Sequence, residues 1–511
     1  MMSRLKLEPG NERIASGSSI MNCHSVDRRR FLSALLGASA ATAAQPKRKP
    51  NVIFILADDL GWRDTTVTGS KFYRTPNIDK LASRGMRFTN AYAACPLCSP
   101  TRASILTGQW PARLGITSPA AHLPEVVLEQ TIGEKAQPHH KALQANTKTR
   151  LRTEYFTLAE AFKDAGYATA HFGKWHLGRE PYDPLHQGFD VDMPHAPVPG
   201  PAGGYLGPWS FWPNKGAAGE HIEDRMSTEA SRFINDHKDK PFYMSYWAFS
   251  VHSPWQAKQA LIDKYKPLID PNNPQRNPMY AAMVESLDNA VGKLLETIDQ
   301  AGLRNDTIFV FFSDNGGVHW PLTKPGLMHP EFENIPATSN APLKGGKATL
   351  YEGGTREPCI VVWPGQTKPG AVSHELVQSI DFYPSLLQMA GLQPHGDLTL
   401  DGIDIRPALK GGKLTRDTLY CHFPHYTPLT GNTPGTWVRK GDWKLIRFYC
   451  ENDDQSDKLE LYNLKTDLSE TKNLAAQEPA RVKEMNALIT AFLERTKAAV
   501  PRPNPNYRRP A

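Results

Sequence analysis

The sequence predicts an α/β fold: a large mixed, mainly parallel sheet sandwiched by helices, followed by a smaller C-terminal α+β domain with an antiparallel sheet. Three observations carry this reading. Short, continuous apolar runs rich in β-branched residues recur at Asn51–Ala57, Tyr167–Phe172, Phe242–Phe249, Thr307–Ser313 and Cys359–Trp363, as in strands buried on both faces. Amphipathic stretches lie between them, such as Thr157–Ala165 and Tyr280–Ala301, where Met283, Leu287, Val291, Leu294 and Leu295 keep a helical spacing. Strands alternating with helices in this way build a parallel sheet covered on both faces. From about Asp397 the character changes. Tyr420–His422, Thr436–Arg439, Trp443–Phe448 and Leu459–Tyr462 read as short strands, with Lys440-Gly441-Asp442 as a tight turn and a closing helix over Pro479–Lys497.

Taken in order, the chain begins with a segment that is not part of this fold. Arg28-Arg29-Arg30-Phe31-Leu32 precedes the small, apolar stretch Ser33–Ala44 and resembles a twin-arginine export signal, with Ala41-Thr42-Ala43 or Thr42-Ala43-Ala44 as the cleavage site. The apolar stretch is too short to span a bilayer, and no later segment is long and apolar enough. Residues 1–44 are therefore assigned to a signal peptide, 50–395 to the large domain, 396–500 to the small one and the Pro/Arg-rich 501–511 to an extended tail. The twin-arginine machinery carries folded proteins, so the expected location is the periplasm or beyond. His122–Arg152 is polar with weak periodicity and reads as a surface insertion.

Of the seven net positive charges, three belong to the first 44 residues. The mildly basic remainder has no basic run interleaved with aromatics, which sets nucleic-acid binding aside. Cys23 lies in the signal. Cys95, Cys98, Cys359, Cys421 and Cys450 are irregularly spaced, compatible with buried free thiols or with a disulfide.

In open α/β sheets, sites form outside the carboxyl ends of the strands. Asp58 and Asp59 follow the first apolar run, Lys174 and His176 the second, His252 the third, and Asp314 and Asn315 the fourth. Three carboxylates and an amide make a hard, all-oxygen ligand set, suited to calcium or magnesium and not to zinc. Cys98 stands just before Pro100, and an apolar helix is expected from about Thr101. Proline suits a helix's first turn, so Cys98 would sit near a helix N-terminus, where the dipole favours anions. Cys95-Pro96-Leu97-Cys98 also has the spacing of a redox or metal pair. Such a pair needs a thioredoxin-like context or a second ligand pair, and neither is evident.

Cys98-Ser99-Pro100-Thr101-Arg102-Ala103-Ser104-Ile105-Leu106-Thr107-Gly108 resembles the signature of the type I sulfatases, Cys-x-Pro-x-Arg. The segments 51–61, Gly173-Lys174-Trp175-His176-Leu177-Gly178, Ser313-Asp314-Asn315-Gly316-Gly317 and Leu343–Gly354 resemble further motifs of that family, in the family's order. Lys440–Leu445 and Glu460–Leu464 resemble its small domain. The resemblance covers nearly the whole chain after the signal and implies an alkaline-phosphatase-superfamily fold. It implies that a maturing enzyme oxidises Cys98 to formylglycine. One hydroxyl of the aldehyde hydrate would attack sulfur, and loss of the other's proton would expel sulfate by C–O cleavage. A serine ester has no such second hydroxyl.

By the same resemblance, Asp58, Asp59, Asp314, Asn315 and the modified Cys98 hold one calcium ion. Arg102 orients the hydrate, and Lys174 and Lys347 hold sulfate oxygens. His176 hydrogen-bonds the hydrate and assists its collapse. His252 contacts the substrate and protonates the leaving oxygen. Lys344, where many relatives have arginine, reads as support, and Glu352 and Arg356 as a structural pair. His319, Trp320, Trp255 and His425 are candidates for substrate contact. The family's auxiliary serine or threonine has no clear match. The function implied is an exported sulfatase acting on O-sulfate esters, most simply of a galactose-type carbohydrate. The alternatives are a phosphonate or phosphodiester hydrolase on the same fold, and a non-catalytic protein that binds sulfated glycans. A second His/Asp metal set is not visible at the matching motifs, and intact Cys98, Arg102 and Lys347 speak against the binding protein.

Overall fold

The computed structural model describes residues 48–212, 214–321 and 328–509; the export signal lies outside them. Residues from Arg48 onward form one compact unit. Its main sheet has eight strands: β1 (Asn51–Ala57), β2 (Met86–Tyr92), β4 (Ala168–Gly173), β5 (Val191–Met193), β6 (Phe242–Trp247), β7 (Thr307–Ser313), β8 (Arg356–Val362) and β9 (Ala371–Gln378). A two-stranded ribbon pairs β3 (Ala142–Leu143) with β14 (Arg502–Pro503), and a second sheet carries β10 (Thr418–Phe423), β11 (Gly435–Lys440), β12 (Trp443–Phe448) and β13 (Lys458–Asn463).

The main sheet runs β5-β4-β6-β1-β7-β8-β2-β9. Five of its neighbour pairs are parallel, while β8 lies antiparallel to both β7 and β2. This is the mixed, mainly parallel sheet the alternating runs predict. All seven residues of β1 and of β7 are buried, because helices cover both faces. The helix Pro278–Gln300 packs on one face with Asn277 as its N-cap, accepting from the Met279 and Tyr280 amides at 3.0 and 3.3 Å. On the other face, Thr157 and Glu160 close a capping box on the helix Leu158–Asp164. The small sheet is antiparallel in the order β10-β11-β12-β13, covered by the helix Pro479–Thr496 through Met485, Ile489 and Phe492.

Three details depart from the sequence reading. β8 starts three residues before Cys359, because Arg356 and Glu357 are buried in the sheet despite their charge. β2 and β9 carry no continuous apolar run; residues such as Arg87, Asn90, His374 and Glu375 interrupt them. The stretch His122–Arg152 is more than a surface insertion. Ala142, Leu143, Ala145, Arg150 and Leu151 are buried, and the tail is held as a strand against it. The five cysteines among the described residues are buried free thiols.

Candidate active site

β1 ends at Ala57, and the chain turns at Asp58 and Asp59 over the C-terminal edge of the sheet. β7 ends at Ser313, delivering Asp314 and Asn315 alongside. The two turns are tied together. The Asp59 amide donates to Asp314 Oδ1 at 3.2 Å, and the Leu60 amide to Ser313 Oγ at 3.2 Å. Asn315 Nδ2 donates to Asp59 Oδ1 at 2.8 Å. All four polar residues are buried. Asp59 adopts φ 62°, and His176 (φ 58°) and Ala348 (φ 60°), the residue after Lys347, share this left-handed backbone. Such strain in non-glycine residues persists where the surroundings over-determine it, commonly at active sites.

The helix Cys98–Thr107 enters from a third direction with every residue buried, Cys98 at its first position and Gly108 closing it in the left-handed region. Ligand atoms of Asp58, Asp59, Cys98 and His252 all lie within 4.8 Å of one another. One turn along the helix, Arg102 donates through Nε and Nη2 to Asp314 Oδ2 at 2.9 and 2.7 Å. Its guanidinium carbon stands 5.4 Å from the centre of the Trp247 ring. Lys174, delivered by β4, donates to Asp58 Oδ2 at 2.6 Å. Lys347 comes from the glycine-rich loop after Leu343 and pairs with Asp59 at 2.7 Å. That loop nests closely: a Cβ on Gly316 would lie 1.8 Å from the Gly353 carbonyl oxygen, so Ser313-Asp-Asn-Gly can meet Glu352-Gly-Gly only without side chains. His252 Nε2 is 3.8 Å from Asp59 Oδ2, with its Nδ1 on the Ser253 carbonyl at 2.5 Å.

The structure thus gathers Asp58, Asp59, Cys98, Arg102, Lys174, His176, His252, Asp314, Asn315 and Lys347 into one pocket. Its electrostatics are strong. Burial raises Asp59, but Lys347, His252 and Lys174 outweigh it and hold the carboxyl well below the usual range. Asp314 is pushed up to about 6 by burial and by Asp58, against Arg102 and Lys174. Burial pushes the Cys98 thiol up to about 11 despite both lysines, which disfavours the thiolate. Burial, then Lys174 and Lys347, bring His252 down to about 3, and burial with Lys174 and Arg102 depresses His176.

The donor set fits a hard cation. Asp58 Oδ1 and Asn315 Oδ1 are buried without a hydrogen-bond partner, a costly state unless a ligand completes them. The three carboxylates Asp58, Asp59 and Asp314 face the three cations Arg102, Lys174 and Lys347, so a divalent ion would leave the pocket doubly positive and matched to an anionic ester.

Some expectations are corrected. Trp255 is buried and donates to the Val251 carbonyl at 2.9 Å. His425 is buried against Thr117 Oγ1 at 2.8 Å. Both belong to the framework, whereas His319 and Trp320 are partly exposed. Lys344 is support: it reaches the Glu470 carbonyl at 3.3 Å and lies 3.8 Å from the centre of the Tyr351 ring. Sequence reasoning missed His122, whose Nδ1 is 3.1 Å from His176 Nε2. A lone histidine in an aperiodic stretch carries no local signal.

A buried set of hard oxygen donors beside three cations and a helix N-terminus suits a hydrolase of anionic esters. The sulfatase family model matches residues 50–392, and the model for the C-terminal part of N-sulphoglucosamine sulphohydrolase matches 346–498. The chain is 33% identical over 401 residues to N-acetylgalactosamine-6-sulfatase of Canis lupus familiaris, covering 74% of this chain and 69% of that one. It is 32% identical over 455 residues to arylsulfatase A of Homo sapiens, covering 83% and 79%. Among solved structures, Ps i-CgsB in complex with k-i-k-neocarrahexaose superposes with a TM-score of 0.69 at 26% identity, over 87% of this chain and 93% of that one. The chain belongs to the sulfatase family and is a sulfuric ester hydrolase. Among the described residues no helix is long and apolar enough to cross a membrane.

Proposed function

We propose that this protein is an exported, calcium-dependent sulfatase that removes O-sulfate from a carbohydrate, with residue 98 acting as formylglycine. The observation that carries the reading is the convergence of Cys98 with Asp58, Asp59 and His252 inside a ring of three cations. The raised Cys98 thiol agrees with it, since the residue has little use there as a thiol. The names of relatives acting on N-acetylgalactosamine sulfate and of a structure holding a carrahexaose support a sulfated sugar of the galactose type.

The hydrated aldehyde supplies a metal-assisted oxygen nucleophile and calcium supplies Lewis-acid charge stabilisation; the remaining work falls to this chain's own residues. Asp58, Asp59, Asp314 and Asn315 would hold the ion, and Asp58 Oδ1 and Asn315 Oδ1 have no protein partner. Arg102, locked on Asp314 and over Trp247, fixes the geometry around residue 98. Lys174 and Lys347 hold sulfate oxygens as point charges. His252, neutral in the free site with its Nδ1 on the Ser253 carbonyl, takes up a proton beside the anionic ester and gives it to the leaving oxygen, and His176 accepts a proton beside residue 98. Residues 50–395 carry this chemistry and residues 396–500 brace it.

The test is peptide mass spectrometry across residue 98 with inorganic sulfate release from defined sulfated saccharides, assayed with calcium and after chelation. Formylglycine at 98 with calcium-restored release is expected. Full activity with unmodified cysteine would refute the reading. Arg28–Ala44 supports export by the twin-arginine route after maturation in the cytoplasm, and an N-terminus near residue 44 in the exported protein is the expected result.

A further inference from the structure

His176 is held by its surroundings in an unusual way. Its backbone is left-handed (φ 58°), and its carbonyl accepts from Ser99 Oγ at 2.6 Å, tying it to the first turn of the Cys98 helix. Its Nδ1 is buried with no partner. Its Nε2 meets a second imidazole, His122 Nδ1, at 3.1 Å, with ring centres 5.3 Å apart. His122 arrives on the segment following Thr117, which is fastened at several points. Thr117 contacts His425, Arg150 donates to the Leu123 carbonyl at 2.6 Å, and Arg179 reaches the His122 carbonyl at 3.5 Å.

We propose that His122 is a positioning residue for the sulfatase reaction: its Nδ1 accepts the His176 Nε2 proton and so fixes His176 in the tautomer with a bare Nδ1. The inference rests on the function proposed above and deepens it. Two neutral imidazoles 3.1 Å apart need one donor and one acceptor. The field decides which is which. Lys174 and Arg102 lie close to His176, and a proton on its buried, partnerless Nδ1 would be an unsatisfied donor. A bare Nδ1 instead offers the lone pair that a hydroxyl on residue 98 can donate to. His122 then carries its own proton on Nε2, on a ring that is only partly buried and can reach water. Burial, Lys174 and Arg150 keep His122 neutral as well, so the pair does not become two repelling imidazoliums. An aspartate, the usual partner of a catalytic histidine, would place a further negative charge beside the carboxylates; a neutral imidazole fixes the ring without doing so.

The test has two arms. First, selectively 15N-labelled histidine in the Cys98→Ala protein reports the tautomer of His176 without any modified residue or turnover. The expected signal is a protonated Nε2 and bare Nδ1, shifting to a mixture of tautomers in a Cys98→Ala/His122→Phe protein. A proton on Nδ1 in the parent, or no change on substitution, overturns the proposal. Second, His122→Phe in mature enzyme is expected to lower kcat about tenfold or more with KM little changed, while His122→Asn, whose amide oxygen stands near the Nδ1 position, recovers most of the loss. Equal loss in both variants, or kcat within about twofold of the parent in His122→Phe, overturns it. Failure of the broader reading looks different: Cys98→Ala would then retain sulfate release whatever His122 does.

Discussion

Two buried clusters of charge lie on the two sides of the loop Leu343–Gly354, and they are built on opposite terms. In the active site, Asp58, Asp59 and Asp314 face Arg102, Lys174 and Lys347, yet oxygens of Asp58 and Asn315 are left without partners. In the second cluster, Glu352 and Glu470 hold Lys444 between them at 3.0 Å each, all three side chains fully buried. Tyr92 donates to Glu352 at 2.6 Å, the Glu352 amide donates to Glu470 at 2.7 Å, and Arg356 and Arg439 stand behind. The second cluster joins β12 of the small sheet to the loop that carries Lys347, and each of its carboxylates is paired with Lys444. The first keeps valences open. The difference separates a charge cluster that binds from one that only braces, although both have similar composition and burial.

The comparison breaks most clearly under substitution. Cys98→Ala is expected to lower kcat/KM about a thousandfold or more while leaving stability within about 1 kcal/mol, because the thiol is small and its neighbours stay paired; steady-state assay with a denaturant melt checks this. Lys444→Met should do the reverse. It leaves two buried carboxylates facing each other and is expected to cost about 3–5 kcal/mol, seen in urea melts, with sulfate release per folded molecule retained.

Calcium sharpens the contrast further. At about one hundred times its Kd it should stabilise the parent by about 2.7 kcal/mol, and Asn315→Ala, which removes the unpartnered Oδ1, should lose most of that gain in calorimetry. The last contrast concerns pH. Burial pushes Glu470 up to about 7, against Lys444 and aided by Glu352, while Glu352 is brought down to about 2 by Lys444 and the two arginines against its own burial. A raised carboxyl contributes stability that is complete below its ordinary 4.5 and is lost as pH rises through 7. Melting temperature should therefore drift down between about pH 5 and 8, and Glu470→Gln should flatten that drift.

The strands buried on both faces, the helices between them and the polar residues just past the strand ends are legible along the chain. Each of these is written locally. A continuous apolar run predicts β1 or β7, and the polar residues just past it must lie at the sheet's carboxyl edge. Tertiary structure decided what has no local period. The edge strand β9 and its neighbour β2 are interrupted by polar residues because their pairing, not their apolarity, makes them strands. Arg356 extends β8 because Thr89 and Asn90, distant in sequence, receive its charged end, while Glu357 is buried beside it with neither carboxylate oxygen partnered. The open or closed character of the two charge clusters and the meeting of His122 with His176 likewise depend on contacts between residues far apart in the chain. Hydrophobic periodicity is a property of neighbours along the chain, whereas hydrogen-bond and charge satisfaction belongs to neighbours in space.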